Sequence, residues 1–394
     1  MNIHILLNSR IDKLSMSGGE RIIMELVRRW GRKENIYLYT SNIEIAVWEK
    51  YGVKNIRKVK IMNVKNKQNI LLAYVCRPIL MTLSLRKLRF KKGDILYSAS
   101  DFWPNSIPAF IIKLRNPKIK WIAGFYLFAP RPWQKDSPYK GQRWFIGLLY
   151  WLTQLPIYEI VKRYADMVFV TSEPDVEKFV TKKRSRDKIV VIRGGVDIKP
   201  SEKYLNSGSV IPIKKRKYDA CFVGRFHPQK GVLELVDIWK LVCEKKPEAK
   251  LAMIGVGSLE NEVKREIKKL NLAKNIELLG FKDGQEKYEV FKQSKIILHP
   301  ATYDSGGMAA CEAMAWRLPG VSFDLEALKT YYPKGMLKTP CCDLKKFAEN
   351  ITRLLDDDRL YEKTSREAIE WARAWDWNEK AKRVLNTLRS LAGQ

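Results

Sequence analysis

Short apolar runs rich in β-branched and aromatic residues alternate along the chain with longer stretches whose apolar positions recur every three or four residues. In the first half, the runs at residues 3–7, 36–40, 56–62, 94–98, 119–126, 167–171 and 189–193 predict strands. The stretches 20–30, 70–89, 104–114, 143–164 and 174–181 predict helices between them. The alternation pauses over 198–217, a polar segment with Pro200, Asn206, Gly208, Pro212 and a cationic cluster at 214–217, which reads as a linker. It then resumes, with strands expected at 218–223, 250–254, 276–279, 296–299 and 319–323 and helices at 232–244, 259–270, 286–294 and 307–316. Strand–helix alternation of this kind predicts an α/β chain of two Rossmann-like, doubly wound parallel-sheet domains. Their expected bounds are 1–197 and 218–375, followed by a helix over 376–394 that packs back on the first domain. Such a pair is expected to hold its site in a cleft, facing the carboxyl ends of both sheets.

Composition narrows the class. The chain has 394 residues, 46% apolar and 29% charged, which excludes a disordered or collagen-like chain. No repeat of ~20–50 residues suggests a solenoid. No run reaches ~18 consecutive apolar residues, so no standard membrane span is expected. The apolar core of the N-terminal segment is too short for a signal peptide, and the six cysteines form no C-x-x-C pair. Free thiols in a reducing cytoplasm are the reading.

Charge changes the picture more. The formal net charge is +30, and residues 1–200 hold 38 Lys+Arg against 16 Asp+Glu. From Lys50 to Gly93 there are 13 basic residues and no acidic one. That asymmetry points to an anionic partner for the first half: nucleic acid, an anionic membrane or a phosphorylated substrate.

Two loops carry candidate chemistry. Val223-Gly224-Arg225-Phe226-His227-Pro228-Gln229-Lys230-Gly231 links a strand to a helix. Its glycines allow a tight turn, and Arg225 and Lys230 put two cations where a helix N-terminus already favours an anion, an arrangement suited to a diphosphate. The second loop runs from His299-Pro300-Ala301-Thr302-Tyr303-Asp304-Ser305-Gly306-Gly307 into Met308-Ala309-Ala310-Cys311-Glu312-Ala313-Met314-Ala315-Trp316. Glu312 stands among apolar residues with no cation three or four positions away, so its partner must come from elsewhere, sugar hydroxyls being good donors. Gly255-Val256-Gly257 follows a strand, and Gly18-Gly19-Glu20-Arg21 opens the first helix in the same manner. Asp356-Asp357-Asp358 reads as a solvated helix junction and not as a metal site.

Together these residues resemble glycosyltransferases of group 1, or family four, which have the GT-B fold. The resemblance spans nearly the whole chain and is strongest over 218–355. The family's G-R-x-x-x-x-K-G loop is matched by Gly224-Arg225 and Lys230-Gly231, its G-x-G turn by Gly255 and Gly257, and its Glu-x7-Glu motif by Asp304 and Glu312. The resemblance implies that Arg225 and Lys230 hold a nucleotide diphosphate and that the N–H groups of Gly306, Gly307 and Met308 contact the phosphates or the sugar. Glu312 would take the ribose hydroxyls and Asp304 the donor sugar. The turns at Gly255 and at Gly280–Phe281 would border the base, and Gly18 and Gly19 would close on the donor. Arg225, Lys230, Asp304 and Glu312 are thus the expected catalytic set. The chain departs from the family in having Asp304 for Glu, Arg317 for Gly, and Gly124-Phe125-Tyr126 where many members carry a His.

The implied activity is retaining transfer of a hexose from a UDP-, GDP- or ADP-sugar, without cofactor or metal, to a lipid-linked or polysaccharide acceptor. The acid-free stretch 50–93 and the aromatic segment 143–163 add an anionic membrane surface as a candidate partner, and a cytoplasmic, peripheral location as the expectation. No nucleic-acid-binding signature appears, so a basic binding protein is the alternative from another class and a sugar-nucleotide epimerase the alternative within the fold.

Overall fold

The structure, a computed structural model, describes residues 1–8, 17–31, 33–64, 70–134, 137–304 and 306–393. Lys65 and Lys67 of the acid-free stretch, Ser305 of the second loop and Gln394 lie outside the described residues. The chain divides into two units: residues 1–132, 141–194 and 377–394 form unit 1, and residues 133–140 and 195–376 form unit 2.

Unit 1 opens with β1 (Asn2–Leu7), α1 (Gly18–Trp30), β2 (Asn35–Ser41), α2 (Asn42–Lys50) and β3 (Arg57–Met62). It continues with α3 (Ile70–Leu85), β4 (Ile95–Ser98), α4 (Trp103–Arg115), β5 (Lys120–Gly124), α5 (Trp144–Tyr164), β6 (Met167–Val170) and β7 (Ile189–Val191). Its strands form a parallel sheet in the order β3-β2-β1-β4-β5-β6-β7. Ile3, Ile5, Leu6 and Leu7 of β1 are buried, as continuous apolar runs must be when helices cover both faces. Helix α1 begins two residues earlier than its apolar pattern shows. Ser17 and Glu20 form a capping box there: the Ser17 N–H donates to the Glu20 carboxylate (2.7 Å) and the Glu20 N–H donates to Ser17 Oγ (3.2 Å).

One local expectation fails in unit 1, and one helix stands out for its apolar length. The helix expected over 174–181 is a pair of short 3₁₀ turns, Glu173–Asp175 and Glu177–Phe179. Val176 and Phe179 are both buried, and a spacing of three satisfies a 3₁₀ turn as well as an α-helix. The stretch Gly141–Tyr164, for which no membrane span was expected, is long and apolar enough to cross a membrane. Yet Ile157 and Val161 of α5 are buried in the core of unit 1. The Gln154 side chain donates to Asp101 Oδ2 and to the Leu127 carbonyl (both 2.8 Å) and accepts from the Ala129 N–H (2.7 Å).

Unit 2 contains α6 (Lys199–Leu205), β8 (Tyr218–Val223), α7 (Val232–Lys245), β9 (Leu251–Ile254), α8 (Glu260–Lys269), β10 (Ile276–Leu278) and α9 (Gln285–Lys292). Then come β11 (Ser294–His299), α10 (Met308–Met314), β12 (Gly320–Phe323), α11 (Glu326–Tyr331), β13 (Met336–Thr339), α12 (Leu344–Asp356) and α13 (Asp358–Arg373). The sheet is again parallel, in the order β10-β9-β8-β11-β12-β13. The segment 198–217 is not a free tether. It carries α6, whose Tyr204 packs on Trp316 with ring centroids 5.7 Å apart, and Arg216 Nη1 donates to the Ser294 carbonyl (2.8 Å). Two aromatic rings in van der Waals contact hold this polar segment to unit 2. The last helix, α14 (Trp377–Ala392), belongs to unit 1, where the indole N–H of Trp30 donates to the Ala381 carbonyl (2.8 Å). Asp357 caps α13 by accepting from the Leu360 N–H (2.9 Å), which gives the Asp356–Asp358 run a structural role.

Candidate active site

In each sheet the direction of strand addition reverses next to the first strand: between β8 and β11 in unit 2, and between β1 and β4 in unit 1. Loops leaving the carboxyl ends of two such strands diverge, so that point is where an α/β sheet accommodates a ligand. Both sequence motifs of unit 2 lie there. Gly224–Gly231 leaves β8, and His299–Met308 leaves β11.

The glycines explain how these loops approach one another. Gly231 has φ +62°, and a Cβ there would stand 1.9 Å from the Pro300 carbonyl oxygen. Gly255 has φ +149°, and its Cβ would stand 1.8 Å from the Gly224 carbonyl oxygen. Backbone bonds fasten the same contacts: Phe226 N–H to Val256 O (3.0 Å), Gly255 N–H to Gly280 O (2.8 Å) and Thr302 N–H to Gln229 O (3.1 Å). Gly224, Gly255, Gly257 and Gly280 are therefore brought together with Lys230 and the β11 loop. Gly306 and Gly307 lie against the rings of Tyr331 and Tyr332, where a Cβ would approach to 2.6 and 2.1 Å. Met308 begins α10, and Phe281 stays half exposed beside Gly280.

The charged groups are arranged differently from the expectation. Residues 228–230 form a 3₁₀ turn and α7 starts at Val232, so Lys230 precedes the helix and its ammonium turns to Asp304. Asp304 Oδ2 also meets His299 Nε2 (3.3 Å), and His299 Nδ1 is bonded to the Tyr332 hydroxyl. Burial lowers the His299 pKa, so the ring is neutral, donating from Nε2 to the carboxylate and accepting at Nδ1 from Tyr332. Burial alone would raise the Asp304 pKa, but Lys230 and His299 outweigh it and hold the carboxyl well below the usual range. Behind this chain, burial pushes the Lys338 ammonium down to about 8, with its nitrogen 4.0 Å from the Tyr332 ring centroid. Arg225 is exposed, and its guanidinium makes no ion pair among the described residues.

Glu312 has a cation after all. Lys287 on α9 donates to Glu312 (2.8 Å) and to Asp283 (2.9 Å). Burial alone would lower the Lys287 pKa, but the two carboxylates raise it above its ordinary value. A helix-face rule restricted to three and four residues cannot see a partner contributed by another helix.

His299, Tyr332 and Lys287 are site residues that the sequence reading left out. His299 had a signal, since it is the last residue of a predicted strand and the first of a candidate loop; Lys287 had none. Gly18 and Gly19 belong to unit 1, where Gly19 backs onto the ring of Tyr126, a Cβ there approaching to 2.5 Å. The Tyr126 hydroxyl is bonded to that of Tyr97. Near them, burial raises the Asp101 carboxyl to about 6, an acid after β4 that sequence pattern did not single out. Among the described residues no group of three or more His, Cys, Asp or Glu is placed to hold a metal ion. A concavity bordered by Leu205, Arg216, Arg317 and Tyr361 holds none of the candidate residues.

Residues 207–371 match the family Glycosyl transferases group 1. An uncharacterised glycosyltransferase of Methanocaldococcus jannaschii is 27% identical over 297 residues, covering 73% of this chain and 69% of its own length. The poly(glycerol-phosphate) alpha-glucosyltransferase of Bacillus subtilis is 24% identical over 211 residues, 52% of this chain but 30% of that protein. Among solved structures, Anabaena HepE in complex with UDP-glucose superimposes with a TM-score of 0.70 at 15% identity, covering 99% of this chain and all of that one. Residues 207–371 thus carry a Glycosyl transferases group 1 domain, and the two parallel-sheet Rossmann-like units give the chain the GT-B fold.

Proposed function

We propose that the protein transfers a hexose, with retention of configuration and without a metal ion, from a nucleoside diphosphate sugar to a lipid-linked or polysaccharide acceptor of the cell surface. The observation that carries this reading is the pairing of Lys230 with Asp304 at the β8/β11 reversal, with the exposed Arg225 on the same loop as Lys230. In the reaction the bond from the anomeric carbon to the diphosphate oxygen breaks and its electron pair leaves with the diphosphate. The acceptor oxygen forms the new bond on the face that the diphosphate leaves and passes its proton to the departing diphosphate oxygen. Fixed cations aimed at the departing diphosphate lower that barrier. The donor phosphates would draw the Lys230 ammonium from Asp304, leaving that carboxylate, still bonded to His299, to accept from sugar hydroxyls. HepE, solved with UDP-glucose, and the Bacillus glucosyltransferase support a UDP-glucose-type donor.

The test is a thermal-shift series against UDP-, GDP- and ADP-glucose, followed by turnover with the donor that binds. A donor at 100 times its Kd is expected to stabilise the protein by ~2.7 kcal/mol. Arg225→Ala is expected to lower turnover ~10²–10³-fold with the melting temperature unchanged, because the guanidinium is exposed and makes no ion pair among the described residues. Lys230→Ala is expected to lose at least as much turnover, with added instability from the abandoned Asp304. Wild-type turnover in both variants would remove the diphosphate assignment, and product formation without acceptor would mark an epimerase.

A further inference from the structure

The outer faces of α3 and α5 are apolar and open. On α3, Ile79, Leu80 and Leu83 are about half exposed; on α5, Phe145 is 73% and Ile146 61% exposed, and Leu149 and Leu152 follow on the same side. Spacings of three and four put each set on one helix face. The opposite faces are occupied: Met81 and Leu85 of α3, and Ile157 and Val161 of α5, are buried in the core of unit 1.

The two open faces belong to one layer. The crossovers from β3 to β4, β4 to β5 and β5 to β6 all run in the same direction along the sheet. Right-handed connections therefore place α3, α4 and α5 on one side of it. Helix α4 joins the other two: Trp103 Nε1 donates to the Thr153 carbonyl and Arg115 Nη2 to the Arg86 carbonyl, both at 2.8 Å. Exposed Arg86, Lys87, Arg89, Lys91 and Lys92 follow directly on α3, and Arg143 and Arg163 bracket α5. Only Glu159 of α5 contributes an acid to either helix.

Apolar side chains bordered by cations, over a surface with almost no carboxylate, match the boundary of an anionic bilayer, where acyl chains lie beneath phosphate headgroups. We propose that unit 1 docks on an anionic membrane through this layer, with α5 lying in the plane of the interface. The helix has the length to span a bilayer. Spanning would, however, pull Ile157 and Val161 from the core and break the three hydrogen bonds of Gln154, including that to Asp101. This inference deepens the proposed lipid-linked acceptor, on which its functional meaning rests.

Flotation with phosphatidylcholine vesicles, and with vesicles containing phosphatidylglycerol, tests it on the whole chain. Wild type is expected to float with the anionic vesicles at low salt and to be released in part by high salt. Lys87→Glu with Arg89→Glu is expected to reduce partition by at least ~25-fold, at about fivefold per lost charge. The pairs Ile79→Ser with Leu83→Ser and Phe145→Ser with Leu149→Ser are expected to remove the binding that survives salt. These positions are exposed, so the variants keep the fold, as an unchanged thermal shift with UDP-glucose would verify. Failure of wild type to float overturns the proposal, as does binding indifferent to the serine pairs. A dimer in solution that the serine pairs dissociate also overturns it, giving the face to a second copy of the chain. Donor binding and turnover are read separately, so loss of the docking reading leaves the transferase reading standing, and the reverse.

Discussion

Lys287 is the least exposed of the charged groups near the candidate site, and it divides its three donors between Asp283 and Glu312. Removing the charge of one carboxylate leaves the ammonium with the other. Glu312→Gln is therefore expected to cost the unliganded protein ~1–2 kcal/mol, below the ~3–5 kcal/mol of a buried ion left wholly unpaired, and to weaken donor binding separately. Thermal melts with and without UDP-glucose distinguish the two effects; an unchanged ligand-induced shift would confine Glu312 to holding Lys287. Asp101 makes the opposite kind of statement. Its folded pKa of about 6 lies above the ordinary 3.8, so its contribution to stability is full below 3.8 and lost as pH rises through 6. Asp101→Asn keeps an oxygen for the Gln154 amide while removing the buried charge. The variant is expected to be more stable than wild type at pH 7 and to lack the decline between pH 4 and 7, measured by urea unfolding across pH. At this scale the sequence was half legible. Lys230 and Asp304 stood out by type and spacing, whereas their bond to each other, across 74 positions, depends on how two loops meet.

At the scale of elements, the turn after α10 shows why the family carries Gly where this chain has Arg317. The residue sits at φ +65°, in the left-handed region that a side chain disfavours. Its carbonyl accepts from Ser365 Oγ (2.8 Å) and its guanidinium pairs with Glu362, which together hold it there. Arg317→Gly is expected to leave the melting temperature within about a degree of wild type or to raise it. Arg317→Val, β-branched at a positive φ, is expected to cost ~1–3 kcal/mol, a loss of several degrees. Strand positions were the most legible elements, because largely apolar runs such as 218–223 leave one reading; the run matches the observed bounds of β8. Shorter elements with mixed patterns were not. Helix α2 begins at Asn42, one residue after β2 ends, with Ser41 serving both as the strand's last residue and as the helix cap. The turns at 173–179 take the place of a helix because Asp175 is engaged by Ser172 Oγ (2.5 Å) and Lys178 (2.7 Å) within the same few residues.

Over the whole molecule, the two alternations of strand and helix were readable because a parallel sheet buried on both faces leaves a strong apolar imprint. Membership of the 198–217 segment was not, since its polar composition conceals Tyr204 and Arg216, which fasten it to unit 2. The cationic bias of the first half was legible and pointed to an anionic partner; that the apolar side chains of α3 and α5 lie on open faces was not. The return of α14 to unit 1 bears on how the protein is made. Unit 2 lies between residues 195 and 376 apart from one short segment, while unit 1 lacks the helix that covers Trp30 until residues 377–392 have been synthesised. Arg389 donates to Glu34 at 2.6 Å across 355 positions, a contact that no nascent chain shorter than that makes. During translation unit 1, begun first, therefore keeps the side of α1 uncovered until α14 has been made and released. A chain truncated after residue 376 would hold the whole of unit 2 but leave Trp30 and Glu34 of unit 1 without the helix that covers them, open to chaperones and proteases.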